Sequence, residues 1–387
     1  MNIILHMGDP YVKEAPNAKR MKAFYECFTS MGHQVRILAP RVSKEENERD
    51  VIYCGAIPMK KKTSLYRLLN QLSYAFTSFF AARKCGRADV VITTSPPPLI
   101  SVTGWLIAKR KKARLVYDVR DIWPDVGIEM GTFAPGSLYA KVFASIRDFM
   151  LKKADLTTAV SPGKVKKLCA YGPTGEVRLV SNGFDRHFLE NADDPALIEK
   201  FRFGEGFTCV YVGNLGMAQG LDQLLSVAER AKTAFPDARF LLFGSGAEEE
   251  SLRAHVREKA LTNVEFAGKI PNDSIFTILN HADLTFVSLV NGNLRDSVPT
   301  KLYEALGVGC PVLLAAEGDA AALLDESRLG IAVSPNDQEA LWDAFSRLYH
   351  DLPAFKAQKA YSRELMTTVY SRQHASQIME KELNKLF

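Results

Sequence analysis

The sequence predicts an α/β protein built from two successive doubly wound halves, each a parallel sheet covered by helices. Short apolar runs alternate with longer segments of helical period, the pattern of a sheet buried on both faces. The alternation restarts after the polar stretch from Glu190 to Lys200. The length, 387 residues, suits about two domains at roughly 100–200 residues each.

In the first half the strand candidates are Ile3-Ile4-Leu5, Val35-Arg36-Ile37-Leu38, Val90-Val91-Ile92, Leu115-Val116-Tyr117 and Leu156-Thr157-Thr158-Ala159-Val160. Helix candidates between them run from about Ala18 to Met31, Leu65 to Lys84, Leu99 to Lys111 and Leu138 to Lys153. The second half offers Cys209-Val210-Tyr211-Val212, Phe240-Leu241-Leu242-Phe243, Val264-Glu265-Phe266, Leu284-Thr285-Phe286-Val287 and Val312-Leu313-Leu314. A junction near Ser181-Asn182-Gly183-Phe184-Asp185 sets domains of 1–183 and 184–369, with a last helical segment over 370–387.

Composition removes several classes. Six scattered cysteines show no C-x-x-C pair, which argues against a disulfide framework or structural zinc and for a reducing cytosol. The start, Met1 to His6, lacks a basic region and turns polar at Gly8-Asp9, so it reads as a first strand and not a cleavable signal. Leu65 to Ala82 is interrupted by Arg67, Asn70 and Gln71, too polar to span a bilayer. The net charge of +5 is mild, and no nucleic-acid recognition module accompanies it.

Ligands of doubly wound sheets bind beyond the carboxyl ends of the strands, so the strand-to-helix loops hold the candidate sites. After the first strand of the second half comes Gly213-Asn214-Leu215-Gly216-Met217-Ala218-Gln219-Gly220, which permits close backbone approach of an anion or is simply a tight turn. The first half has no G-x-G-x-x-G after its first strand, against a conventional NAD enzyme. A second glycine turn is Gly244-Ser245-Gly246. The turn at Gly268-Lys269-Ile270-Pro271 is placed to meet a planar base through main-chain groups.

The richest stretch runs from Asn291 to Val312. Pro299 fits a first helical turn, Ser297 a cap, and Gly307 with Gly309 an end. Thr300 and Lys301 then lie in the first turn, where a cation opposes the helix dipole unless it serves an anion gathered there. Glu304 follows at i+3, so an intrahelical Lys–Glu pair is the alternative.

The ordered set Asn182-Gly183-Phe184-Asp185, Gly213 to Gly220, Gly244-Ser245-Gly246, Asn263 to Gly268, Ala282-Asp283 and Pro299-Thr300-Lys301-Leu302-Tyr303-Glu304 resembles glycosyltransferase family 4. Within it the similarity is to the bacterial amino-sugar branch that includes the fucosamine transferases of surface-polysaccharide assembly. That resemblance implies the GT-B fold: two Rossmann-like domains facing across a cleft, the C-terminal one holding a nucleotide sugar and the N-terminal one the acceptor. It also implies a last helix crossing back to the first domain, and retention of anomeric configuration without a catalytic metal or other cofactor. The implied partners are a UDP-sugar donor and a polyprenyl-diphosphate-linked saccharide. The implied location is the cytoplasm, at the inner membrane face.

Residue by residue, the resemblance assigns Glu304 to the nucleotide ribose and Asp296, eight positions earlier, to the donor sugar hydroxyls, where the family carries a glutamate. Relatives place Arg and Lys where this chain has Asn214 and Gln219, both neutral, so charge compensation falls to Lys301 with the amides of Gly216 and the Thr300 turn. Gly213, Gly244 and Lys269 complete the donor set. Tyr117-Asp118-Val119-Arg120-Asp121-Ile122-Trp123-Pro124 is similar to the branch's Arg-Asp-Leu-Trp-Pro segment. It puts Asp121 at the donor sugar or attacking hydroxyl with Arg120 orienting it, or else forms a structural ion pair. Arg20 serves an acceptor phosphate or is a solvated helix residue. Trp123 offers its ring to a sugar or to the core.

Lys60-Lys61-Lys62, Tyr66, Arg67, Tyr74, Phe76, Phe79, Phe80, Arg83, Lys84 and Lys109-Arg110-Lys111-Lys112 suit either an anionic membrane surface or a core helix with solvated ends. A UDP-sugar epimerase of the same architecture and a non-catalytic sugar-nucleotide or membrane-binding partner are the alternative functions.

Overall fold

The computed structural model describes residues 1–11, 16–41, 48–59 and 64–387. They form two compact units, Met1–Asn182 with Arg372–Phe387, and Gly183–Ser371. Lys60-Lys61-Lys62 lie outside the described residues.

The first unit carries β1 (Asn2–His6), β2 (Gln34–Pro40), β3 (Val51–Cys54), β4 (Val90–Ser95), β5 (Arg114–Val119), β6 (Leu156–Ala159) and β7 (Glu176–Leu179). They pair in parallel in the order β3-β2-β1-β4-β5-β6-β7. Alternate residues face opposite layers. Ile3, Leu5, Ile37 and Ile92 pack with Met21, Phe24 and Phe28 of helix Pro16–Ser30 and with Met379 and Leu383 of helix Arg372–Asn384. Ile4, Leu38, Val91 and Tyr117 pack with Tyr74, Ile107 and Met150 from helices Ser64–Ala81, Pro98–Lys111 and Leu138–Lys153. The chain's last helix therefore completes the first unit's core.

The strands β3 and β7 have no counterpart among the expected runs. Both are edge strands with at most one fully buried residue, and Glu176 and Arg178 give β7 a charged face. An edge strand has less sheet to bury against, so β7 needs no continuous apolar run, whereas β3 is a short apolar run of its own, Val51-Ile52-Tyr53-Cys54, left mostly half-buried at the sheet edge.

The second unit carries β8 (Phe207–Val212), β9 (Ala238–Phe243), β10 (Val264–Gly268), β11 (Leu284–Ser288), β12 (Val312–Ala315) and β13 (Gly330–Val333). Their order is β10-β9-β8-β11-β12-β13, again parallel, and β13, with its short run Ile331-Ala332-Val333, is a further edge strand absent from the expected ones. The core gathers Phe207, Tyr211, Phe240, Phe286 and Phe345, with partly exposed Trp342 against it. Strand order reverses between β8 and β11, so the loops leaving these two strands flank the switch point where such sheets bind ligands.

Candidate active site

Three turns leave the carboxyl ends of β8, β9 and β10 and are sewn together by main chain. Gly213 N–H donates to the Phe243 carbonyl (2.9 Å), Gly244 N–H to that of Gly268 (2.8 Å), and Leu215 N–H to that of Ser245 (3.0 Å). Gly213 and Gly244 adopt φ of +152° and +139°, which side chains resist. A Cβ on Gly213 would also stand 2.9 Å from the Lys301 ammonium. Asn214 is exposed, and its main-chain carbonyl accepts from the Tyr211 hydroxyl at 2.7 Å. Gly216 precedes the short turn Met217–Gln219 in extended conformation, and Lys269 is exposed just beyond β10.

Helix Thr300–Val308 corrects the expected caps. Pro299 is itself the N-cap, with ψ of 138° and no side-chain capping bond, so Ser297 does not cap the helix. A proline at the boundary has no N–H to satisfy, which removes one demand for a cap. Gly307 lies inside the helix against the buried Phe184 ring, where a side chain would collide, and Gly309 ends it in left-handed conformation.

Lys301 is the centre of the site. Its Nζ donates to the Tyr211 hydroxyl (2.8 Å) and to Gln219 Oε1 (2.6 Å), and lies 4.2 Å from the centre of the Tyr211 ring. Burial of the ammonium draws its pKa down to about 7, and Glu304 only partly offsets this. Its hydrogen bonds thus cross to β8 and the glycine turn, while Glu304, one turn along the helix, acts on the ammonium through its charge. Gln219, placed by motif order at the donor phosphates, spends its side-chain oxygen on Lys301. Thr300 and Glu304 are half-buried on the same helix.

Asp296 is half-buried in the loop before that helix. The loop is pinned by Ser297 N–H to the Leu294 carbonyl (3.1 Å), Asp319 N–H to the Arg295 carbonyl (2.8 Å), and Arg295 with Glu317 (3.0 Å).

In the first unit, Arg120 follows β5 and reaches Thr94 Oγ1 (3.2 Å), the Pro96 carbonyl (2.8 Å) and Asp9 (3.5 Å), while Asn17 also donates to Asp9 (2.8 Å). The guanidinium is buried, which lowers its pKa despite three nearby carboxylates. These bonds correct the expectation that Arg120 orients Asp121: the guanidinium turns toward the loops after β1 and β4, and Asp121 stands half-buried beside it. Both alternatives for Arg20 are corrected too. It is buried against Asp118, and donates to the Val180 (2.9 Å) and Ser181 (2.6 Å) carbonyls. Trp123 is half-buried, with Phe133 and Phe143 rings at 5.8 and 5.6 Å.

Tyr211 is the residue that motif reading passes over. The one hint was an aromatic hydroxyl, two residues before Gly213, in a strand otherwise apolar but for Thr208. Among the described residues no cluster of three or more His, Cys, Asp or Glu could hold a metal ion.

The sequence matches the family described as "Glycosyltransferase Family 4" over residues 18–188 and "Glycosyl transferases group 1" over 193–365. It is similar to the colanic acid biosynthesis glycosyl transferase WcaI of Escherichia coli (strain K12), 25% identical over 344 residues, covering 82% of this chain and 84% of the relative. It is also 24% identical to the glycosyltransferase WbjE of Pseudomonas aeruginosa over 317 residues, 80% of this chain and 77% of that one. In fold it resembles sucrose-phosphate synthase from Thermosynechococcus elongatus (TM-score 0.82, 18% identity, 100% and 99% of the two chains). Anabaena HepE, solved in complex with UDP, is similar as well (TM-score 0.76, 15% identity, 99% of each chain).

Proposed function

This chain belongs to glycosyltransferase family 4 and is a glycosyltransferase of GT-B architecture; from that premise we propose the reaction it performs. It moves a sugar, an N-acetylhexosamine or N-acetylated deoxyhexose, from UDP to a polyprenyl-diphosphate-linked saccharide during surface-polysaccharide assembly. The observation that carries this reading is Lys301 seated against Gly213 at the switch point of the second unit.

In this reading the bond from the donor's anomeric carbon to the diphosphate oxygen breaks as an acceptor hydroxyl attacks from the same face. The leaving diphosphate takes the hydroxyl proton, so configuration is retained without a protein nucleophile or metal. Lys301 and the turn amides stabilise the negative charge that develops on the leaving group, the largest lever available in a poorly solvated site. Glu304 holds the ribose, Asp296 the sugar hydroxyls, and the Gly268-Lys269 turn the base. Asp121 serves the acceptor hydroxyl and Arg120 fixes the loops around it. The relatives support the substrate class: WcaI is named for colanic acid biosynthesis, and HepE was solved in complex with UDP.

The acceptor's lipid calls for membrane contact, and the helix layer over β1, β4 and β5 suits it. Leu72, Phe76, Phe80, Leu106 and Leu138 are exposed there, with Arg83, Lys84, Arg110 and Lys141 among them. Tyr74 is not part of this face, being buried with its hydroxyl on the Met7 and Leu38 carbonyls. Among the described residues no helix is long and apolar enough to cross a membrane, so the contact proposed is peripheral.

The test is incubation of the purified chain with a panel of UDP-, GDP- and dTDP-sugars and a polyprenyl-diphosphate-linked saccharide, with product anomers assigned by NMR. An α-linked product from an α-linked UDP-sugar is expected. Transfer only from another nucleotide, an inverted product, or epimer formation without acceptor would overturn the reading.

A further inference from the structure

The contacts around Lys301 have a direction. The single Tyr211 hydroxyl proton has the Asn214 carbonyl at 2.7 Å and Gln219 Oε1 at 3.3 Å as acceptors, and with its proton on either of them this oxygen is an acceptor toward Lys301. Gln219 Oε1 accepts from the same Nζ at 2.6 Å, and the Gln219 main-chain carbonyl is held by the Ser288 hydroxyl at the end of β11. Two of the three ammonium N–H bonds are thereby fixed, by groups from β8 and the glycine turn. Both acceptors are neutral. A carboxylate in either place would cancel the cation and repel an arriving diphosphate, whereas neutral oxygens aim it and leave its charge intact.

We propose that Tyr211 and Gln219 are positioning residues for Lys301, holding its ammonium on the glycine turn with one N–H bond free for a phosphate oxygen of the nucleoside diphosphate. This rests on the reading that the turn receives the donor diphosphate. A lysine on a flexible four-carbon stem is a poor fixed donor unless something else orients it. Here the glycine at 213 makes room for the ammonium, and Tyr211 and Gln219 supply the orientation.

The titratable groups facing Lys301 are Glu304 on its own helix and Tyr211 from β8, whose proton is retained because burial raises its pKa. Diphosphate binding therefore recharges a lysine poised near neutrality, and UDP binding takes up a proton at and above about pH 7.

Titration calorimetry with UDP and with uridine, on the full chain and its Tyr211→Phe, Gln219→Leu, Gln219→Glu and Lys301→Met variants, tests this from pH 7 upward. Tyr211→Phe and Gln219→Leu should each weaken UDP about tenfold while uridine affinity changes less than about twofold, since only a bond aimed at phosphate is lost. Gln219→Glu should weaken UDP more than Gln219→Leu. Wild-type UDP affinity should fall as pH rises, and the fall should begin at lower pH in Tyr211→Phe. If Tyr211→Phe melts before it can be assayed, the Gln219 pair decides.

Loss of UDP binding in Lys301→Met, with Tyr211→Phe and both Gln219 variants like wild type in affinity and pH profile, would overturn the positioning role while leaving the diphosphate reading intact. Absence of UDP binding by the wild type, or a Lys301→Met variant that binds it normally, would overturn both.

Discussion

Arg20 grips Asp118 through two hydrogen bonds, Nε to Oδ2 at 3.0 Å and Nη2 to Oδ1 at 2.8 Å, with Thr158 Oγ1 donating to the same carboxylate at 2.7 Å. Neither charged side chain is more than 2% exposed. Removing one partner strands the other's charge, so Asp118→Ala should cost about 3–5 kcal/mol by denaturant unfolding of the first unit. Arg20→Met with Asp118→Leu should cost less than the two single changes summed, because the apolar pair leaves no orphan charge. A double variant as destabilised as that sum would show the pair to be uncoupled.

Gly213 is tied to Lys301 by space alone. Gly213→Ala places a methyl 2.9 Å from Nζ in a backbone conformation of φ +152°, so the ammonium must move. Turnover should fall by at least about tenfold, while unfolding shows an ordinary single-site loss of about 1–3 kcal/mol. Steady-state rates beside thermal melts separate the two effects, and wild-type turnover would break the link between glycine and lysine.

Lys301 opposes the fold it sits in. Its pKa falls from 10.5 to about 7 on folding, so between those values the unfolded chain binds more protons and stability rises with pH. Below about pH 7 the native state bears the full cost of the poorly solvated charge. Lys301→Met should therefore raise Tm relative to wild type, more at acid than at alkaline pH, while abolishing most turnover. A Tm difference independent of pH would place the ammonium in ordinary solvent.

His6 behaves in the opposite pH range. It is fully buried, with Nδ1 3.3 Å from Thr93 Oγ1 and Nε2 3.2 Å from Ser78 Oγ, and burial pulls its pKa from 6.5 to about 3. The unfolded state takes up a proton below pH 6.5 that the folded state refuses, so stability is lost as pH falls through that window. His6→Gln, which cannot titrate, should give a flatter stability curve there. An unchanged slope would assign acid sensitivity to other groups.

The exposed rings tell on the membrane proposal. Phe76 is 67% exposed, and Arg83 lies over the Phe80 ring at 5.1 Å. Phe76→Glu with Leu72→Glu should lower sedimentation with anionic vesicles at least about tenfold, since apolar insertion and anionic attraction act together. Tm should be unmoved because both side chains are exposed. Equal binding by variant and wild type would remove this face from membrane contact.

By itself the sequence determined the fold class, the interior strands and the turns. Runs such as Val90-Val91-Ile92 must be buried on both faces, and glycines such as Gly213 and Gly244 declare where backbone bends too tightly for side chains. Tertiary structure decided the pairings. Edge strand β7, Glu-Val-Arg-Leu, forms because its neighbour supplies its hydrogen bonds, not because its own residues demand burial. Arg20 meets Asp118 from 98 positions away, and Lys301 meets Tyr211 from 90, which no local period encodes. Periodicity reports which face a residue takes. Which partner waits there depends on strand order, and that is settled only when the sheet assembles.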